Sequence, residues 1–329
     1  MNVISKIYNL LLGLLVIYLV QLLPSQYLWD RDNYLNYAEN SEKILQSYGD
    51  LQEVLFNDYF FLKINQLLSY VLSPENLVVF LVSICFLIFY FLINKFSVNS
   101  LTFTIGVIFS ILIVPILHLE VVAIRQFLAT CLVLLSLSYY SDKNKILIIF
   151  LIASLIHSSF FLFFFLFYMD NYIFCRFDKI KRFILNFLLI LFLALSYLVI
   201  GNYLGFRQAE LYSSYSGAVG GGGFVVVFSL TLYIYFKYGI TRYTYMYNFV
   251  LQGFLLFMIF YFFANSSVSA RLLESIFPAF ILLLVNKFRP VDLIVILFIF
   301  LTYGYVWLTG GQYMIFEASP DQIRHYFGW

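Results

Sequence analysis

Charge is what this 329-residue chain has least of. Charged residues make up only 11% of it, against about 25% in a soluble domain, which excludes an ordinary soluble globular protein. Its three cysteines fall in two apolar runs (Cys85, Cys131) and one basic loop (Cys175), so no disulfide framework is expected. With only three histidines, no Cys/His pattern has the spacing of a metal site, and no HExxH is present. GxxxxGK[ST] and the dinucleotide-binding fingerprint are both missing, so the "VGGGG" run reads as a flexible loop. No nucleophile elbow is present. Strands of alternating polarity, as in a membrane β-barrel, are missing, and so is the paired set of interrupted charged spans of an inverted-repeat transporter. The net charge of +2 gives no reason to expect a nucleic-acid partner.

What is there is apolar. Hydrophobic residues are 63% of the chain, with 40 Phe and 28 Tyr, which suit lipid-facing surfaces and interfacial belts. Runs of about 20 apolar residues, enough to cross a bilayer, recur from end to end. They predict an all-α, polytopic integral membrane protein of about 10–11 transmembrane helices. The spans fall at 7–23, 76–94, 101–117, 122–140, 146–169, 183–200, 223–238, 247–264, 271–286 and 292–308. The first reads as a retained signal anchor, because no small-x-small cleavage site follows it. The whole is expected to be one membrane domain, 1–329, with polar segments at 24–75, 201–222 and 309–329. Two amphipathic helices are expected in the first polar segment. One face holds Tyr34, Tyr37, Ala38, Ile44, Leu45 and Tyr48; the other holds Phe60, Phe61, Ile64, Leu67, Leu68 and Val71.

Orientation follows from Lys and Arg, which collect on the cytoplasmic side. With the N-terminus inside, simple alternation puts the strongly basic loop "DNYIFCRFDKIKR" outside, against the rule. The conflict disappears if 146–169 is two short helices that meet near His157-Ser158-Ser159 and return to the side they left. Every short cytoplasmic loop is then basic and the 309–329 tail is outside. A helix broken at membrane depth needs burial in protein or a water-filled cavity. The membrane is expected to be the bacterial cytoplasmic membrane, with the active site on its outer face.

Ionisable residues at membrane depth mark candidate sites. Arg125, about one turn inside the outer end of its span, either snorkels to the interface or offers a bidentate fork to phosphate oxygens. Arg271 either pairs locally with Glu274 at i+3 or joins Arg125 in neutralising a diphosphate. His157 is either a polar hinge or a donor and general acid. Asp32 either caps the helix that follows it or acts as general base toward a sugar hydroxyl. Asp30 is a weaker candidate of the same kind. Arg31 neutralises a neighbouring carboxylate or binds phosphate. His118 and Glu120 read as residues of the outer turn before Arg125, with Glu120 a reserve base.

These residues carry a resemblance. Arg125, Gln126 and Ala129, then Lys143 and Lys145, then Ala153, Ser154, His157 and Ser159 match "R-Q-x-x-A", a short basic turn and "A-S-x-x-H-x-S". That block resembles the EpsG-like branch of the Wzy-type polysaccharide polymerases. "WDRDNYLNY" is similar to the family's "D-x-x-Y-x-x-Y". Its tyrosines are Tyr34 and Tyr37, and Arg31 stands at the aspartate position between Asp30 and Asp32. Asn57-Asp58 replace the Glu-Pro of "E-P-x-F", and Arg271 matches the arginine that leads a late span. The resemblance runs from about residue 28 to 290. It implies a GT-C-like glycosyltransferase, of the hexosyltransferase class, that joins oligosaccharide repeat units carried on undecaprenyl diphosphate. The product would be O-antigen (as in lipopolysaccharide), capsule or exopolysaccharide. Taken with the residue readings above, Asp32 and His157 are expected to be catalytic, and Arg31, Arg125, Gln126, Arg271 and Glu120 to bind substrate. Expected partners are the lipid-linked donor and acceptor and membrane lipids, with room for a chain-length regulator protein. No cofactor and no nucleotide-sugar site are expected. Two other classes compete: a flippase or exporter of the same lipid-linked glycan, and a membrane O-acyltransferase that modifies the polymer.

Overall fold

The computed structural model describes residues 3–49, 54, 57–203, 222–237, 244–264, 266–286, 288–326 and 328. The Gly-rich 201–222 loop lies almost wholly outside these. The protein is an all-helical, polytopic membrane protein, and among the described residues the sole β-type pairing is an isolated bridge between Leu28 and Phe316. Four helices are long and apolar enough to cross a membrane, or five if one bent pair counts as a span; three shorter apolar helices accompany them. The chain divides into two compact units, Met1–Ile44 with Leu62–Cys131 and Phe280–Trp329, and Leu45–Phe61 with Leu132–Ala279.

In the first unit α1 (Val3–Gln21) runs antiparallel to α4 (Pro74–Phe96). Asn9 Nδ2 donates to Asn94 Oδ1 and Gln21 Nε2 to Ser83 Oγ, each at 2.7 Å. Such interhelical links contribute about 0.6 kcal/mol each on average in a membrane, and they fix which face of α1 meets α4. Ser73 caps α4, with Pro74 at its first position. An Asn99/Thr102 capping box starts α5 (Ser100–Leu112).

The expected span 101–117 is corrected here. α5 stops at Leu112, and α6 (Val114–Val121) leaves it at 77°. Pro115 has no N–H for the Ile111 carbonyl and its ring would clash there, so a straight helix does not run through it, whereas it is tolerated in the first turn of a new one, and Ile113 is extended at the break. The break frees carbonyls inside apolar surroundings, where each must find a donor; the Trp307 indole N–H reaches Leu112 O at 2.8 Å. α6 is buried nearly throughout, so His118 and Glu120 stand on a buried helix and not in an outer turn.

In the second unit the predicted broken helix is present. Asp142 caps α8 (Lys143–Ile156), and α9 (Phe160–Tyr168) follows the apex His157-Ser158-Ser159. Phe150 and Phe167 stack with centroids 5.1 Å apart. Seventeen residues of unbroken helix would separate them by about 25 Å, so the two arms fold back on one another. At the base, Lys143 Nζ donates to Asn171 O and the Tyr172 hydroxyl to Asn144. Arms of 14 and 9 residues, at 1.5 Å per residue, are each shorter than the roughly 30 Å of a bilayer core.

The hairpin packs on α12 (Thr244–Phe263), where Phe249 meets the rings of Phe150 and Phe163. Below the hairpin the chain passes through a π-helical turn, Met169–Ile173, into α10 (Lys179–Tyr203). Further on α12, Gly253 lies against Ile276 of α13 (Ser266–Asn286) so closely that a Cβ would sit 2.5 Å from the Ile276 Cδ1. Ile276 is fully buried and has nowhere to swing. Gly253→Ala is therefore expected to destabilise the protein by about 1–3 kcal/mol through overpacking. Thermal unfolding of the purified protein reads it, and Ile276→Val, which removes the clashing Cδ1, should cost less in the Gly253→Ala background than in the wild type. Full stability of the single variant would mean the two helices are not in this close contact.

Candidate functional site

The first unit assembles a site around Arg125. The amphipathic helix α2 (Arg31–Ser47) buries Tyr34, Tyr37 and Ala38, the first half of its expected face, and also Ser41; the rest of the face, Ile44, Leu45 and Tyr48, lies beyond a kink at Asn40 and is only half-buried. Arg125 is the second residue of α7 (Ile124–Tyr139). Its Cζ lies 5.0 Å from the centre of the Tyr37 ring and 5.7 Å from that of Tyr34. The guanidinium Nη1 donates to the Tyr37 hydroxyl and the Arg125 backbone N–H to the Tyr34 hydroxyl, both at 3.4 Å. Two aromatic faces near one guanidinium hold it by cation–π attraction, about 0.5–2 kcal/mol each. The two motifs "NYLNY" and "IRQFLA", about 90 residues apart, thus meet. Burial pushes the Tyr34 phenol above its ordinary pKa while the charge of Arg125 pulls it back, so Tyr34 remains a neutral hydroxyl. Gln126, next in the helix, is buried.

The start of α2 is set by the C-terminal segment. Trp29 N–H donates to Ile315 O at 3.1 Å, Glu317 N–H to Tyr27 O at 2.7 Å, and the Trp29 indole to Tyr313 O at 3.0 Å. The turn that follows puts Asp30 at φ +60°, with its carboxylate accepting from the Asn33 side chain. Asp32 is not the N-cap expected from its position. The helix begins one residue before it, and Asp32 is exposed in the first turn, where a negative charge suits the N-terminal end of the helix dipole. Arg31 is partly buried with no acceptor for its Nε among the described residues, and burial lowers its pKa somewhat from the ordinary value.

Glu120 belongs to the same unit but to a different environment. It is fully buried, and neither carboxylate oxygen has a hydrogen-bond partner among the described residues. Among the described residues, Tyr90 and Cys131 are close enough to feel its charge. Sequence reading placed it in a turn because the apolar run hides the bend at Ile113.

The second unit carries the rest. His157, at the hairpin apex, is buried, and its Nδ1 lies 2.7 Å from Ser159 Oγ. Asp58 reaches this apex: its Oδ1 accepts the Ser158 backbone N–H at 3.2 Å. Asp58 went unnoticed as a site residue, although an acid at the foot of an aromatic amphipathic helix was visible. That helix, α3 (Tyr59–Ser69), buries Phe61, Leu62 and Asn65 and exposes Leu67, and Val71 is exposed just past its end. The expected face was therefore displaced, since nearly every turn of α3 has apolar residues on several sides. On α13, Arg271 makes the local pair with Glu274 at 3.4 Å, with the arginine side chain still 31% exposed and the glutamate 6%. Among the described residues no three His, Cys, Asp or Glu side chains come together.

Searches of curated proteins and of solved structures returned no match. The model of the EpsG family, in contrast, matches residues 9–320. That stretch holds both tyrosines over Arg125, the hairpin with His157 and the arginine-led helix α13, so the chain belongs to the EpsG family.

Proposed function

We propose that this protein is a polysaccharide polymerase that joins oligosaccharide repeat units carried on undecaprenyl diphosphate at the outer face of the cytoplasmic membrane. The observation that carries the reading is the arginine site: Arg125 held by Tyr34 and Tyr37, beneath a helix whose first turn exposes Asp32.

The chemistry follows from those groups. The acceptor hydroxyl oxygen forms a bond to the anomeric carbon of the donor glycan, and the bond from that carbon to the diphosphate oxygen breaks. The hydroxyl proton passes to a carboxylate, for which Asp32 is the assignment. The leaving undecaprenyl diphosphate gains negative charge, and preorganised guanidinium donors lower the energy of the transition state in which it develops. Within the first unit Arg125 is the main donor and Arg31 adds positive charge; in the second unit Arg271 is assigned as a substrate-binding cation and His157 as donor or acid at the hairpin apex. Gln126, next to Arg125 in the helix, is assigned to substrate binding. The product is O-antigen, capsule or exopolysaccharide, and the apolar faces between helices offer the lipid chain its place.

Deleting the gene is expected to leave glycan of a single repeat unit, with the ladder restored by the wild-type chain. Gel separation of the surface polysaccharide reads this. Full-length polymer lacking a substituent would instead point to an O-acyltransferase, and loss of even the single unit from the outer face to an exporter.

A further inference from the structure

Among the described acidic residues of the 24–75 segment, Asp58 alone is buried. Its backbone is in the left-handed region at φ +60°, a conformation that asparagine and aspartate tolerate better than other non-glycine residues. The carbonyl just before it, on Asn57, accepts the Tyr48 hydroxyl at 2.8 Å, which steadies the turn. The turn thus holds a carboxylate in a strained backbone state and delivers it to a partner 100 residues away.

That partner is a backbone amide which the hairpin cannot satisfy by itself. At the apex the amides of Phe160, Phe161 and Leu162 donate to the carbonyls of His157, Ser158 and Ser159. The His157 amide donates to Ala153 O at 2.9 Å. The Ser158 amide falls between the two helices, and a buried amide left without an acceptor costs about 1–3 kcal/mol. Asp58 accepts it. The His157 backbone is therefore held on both sides, by the last turn of α8 and by Asp58, while its ring meets Ser159.

We propose that Asp58 is a positioning residue of the reaction centre, holding the hairpin apex so that His157 keeps one place. This rests on the polymerase reading above, and it assigns a role to a segment where the chain departs from the Glu-Pro of its family's pattern.

The left-handed backbone supplies a clean variant. Asp58→Gly adopts φ +60° without strain, so it removes the carboxylate while sparing the turn; Asp58→Asn keeps an oxygen acceptor. Two readouts are taken on the full-length protein in membrane vesicles or nanodiscs. One is hydrogen exchange of peptides spanning 156–162. The other is kcat and donor KM for polymerisation of the lipid-diphosphate-linked repeat unit. Asp58→Gly is expected to exchange faster at the apex and to lose about tenfold to a hundredfold in kcat, the scale of a small misplacement of a reacting group. KM should stay within about twofold, and Asp58→Asn should restore most of both readouts. Unchanged exchange in Asp58→Gly would overturn the proposal, because the tie would not exist. Faster exchange with normal kcat would also overturn it, while leaving the polymerase reading intact. A wild-type protein that makes no polymer under these conditions would overturn the polymerase reading and this role with it.

Discussion

Arg125→Ala is expected to abolish the polymer ladder and to lower the polymerisation rate by about 10²–10³-fold, the usual effect of removing one preorganised donor from a developing oxyanion. The reason lies in how the side chain is held. Rings 5.0 and 5.7 Å away and a hydroxyl at 3.4 Å keep the guanidinium in place before substrate arrives, so little reorganisation is needed when the diphosphate departs. Arg125→Lys should rescue little, because an ammonium is a single point charge without the planar fork. Tyr37→Phe should have a smaller effect, since the ring face remains while the hydroxyl contact goes. Ladder length in cells and initial rates in vesicles are the measurements, with immunoblotting to show that each variant reaches the membrane. A normal ladder from Arg125→Ala would remove Arg125 from the site.

The second large effect is on stability. Asp170 is almost fully buried at the base of the hairpin. Both its oxygens are engaged by Arg182, one by Nε at 2.6 Å and the other by Nη2, and Asn186 Nδ2 adds a further bond at 2.7 Å. Asp170→Ala leaves the Arg182 charge and the Asn186 amide without their acceptor. Breaking a buried pair from one side costs about 3–5 kcal/mol, and the partial exposure of Arg182 (30%) puts the expectation near the lower end. The measurement is thermal unfolding of the purified protein together with its level in the membrane. Asp170→Ala with Arg182→Met should be less damaging than Asp170→Ala alone, because no orphaned charge remains. Equal damage in the single and double variants would show that the ion pair is not the source of the loss.

The same hairpin shows how far sequence reading carries. Its break at His157 was legible because a one-dimensional rule, positive charge on one side, could not be met by a straight helix through 146–169. The bend at Ile113 was equally present in the sequence, as Pro115, but no charge in the neighbouring loops conflicts with a straight span there. Hydropathy alone cannot distinguish a buried broken helix from a spanning one. α2 was read correctly for its first half because polar residues alternate with its tyrosines at helical spacing. α3 was misread because its apolar residues leave more than one face to choose from.

Composition, apolar run length and the placement of Lys and Arg determined by themselves that this is a helical membrane protein with a helix broken at His157, and short motifs were enough to suggest its family. Those are properties of local windows along the chain, set by transfer of side chains and backbone from water to lipid. The partners within the candidate site were decided only by tertiary structure. Tyr34 and Tyr37 over Arg125, and Asp58 on Ser158, join positions about 90–100 residues apart. Nothing in either local stretch specifies its partner. Helix packing brings them together, because a half-buried guanidinium and the amide left over where a buried helix is interrupted must each find a partner inside the protein.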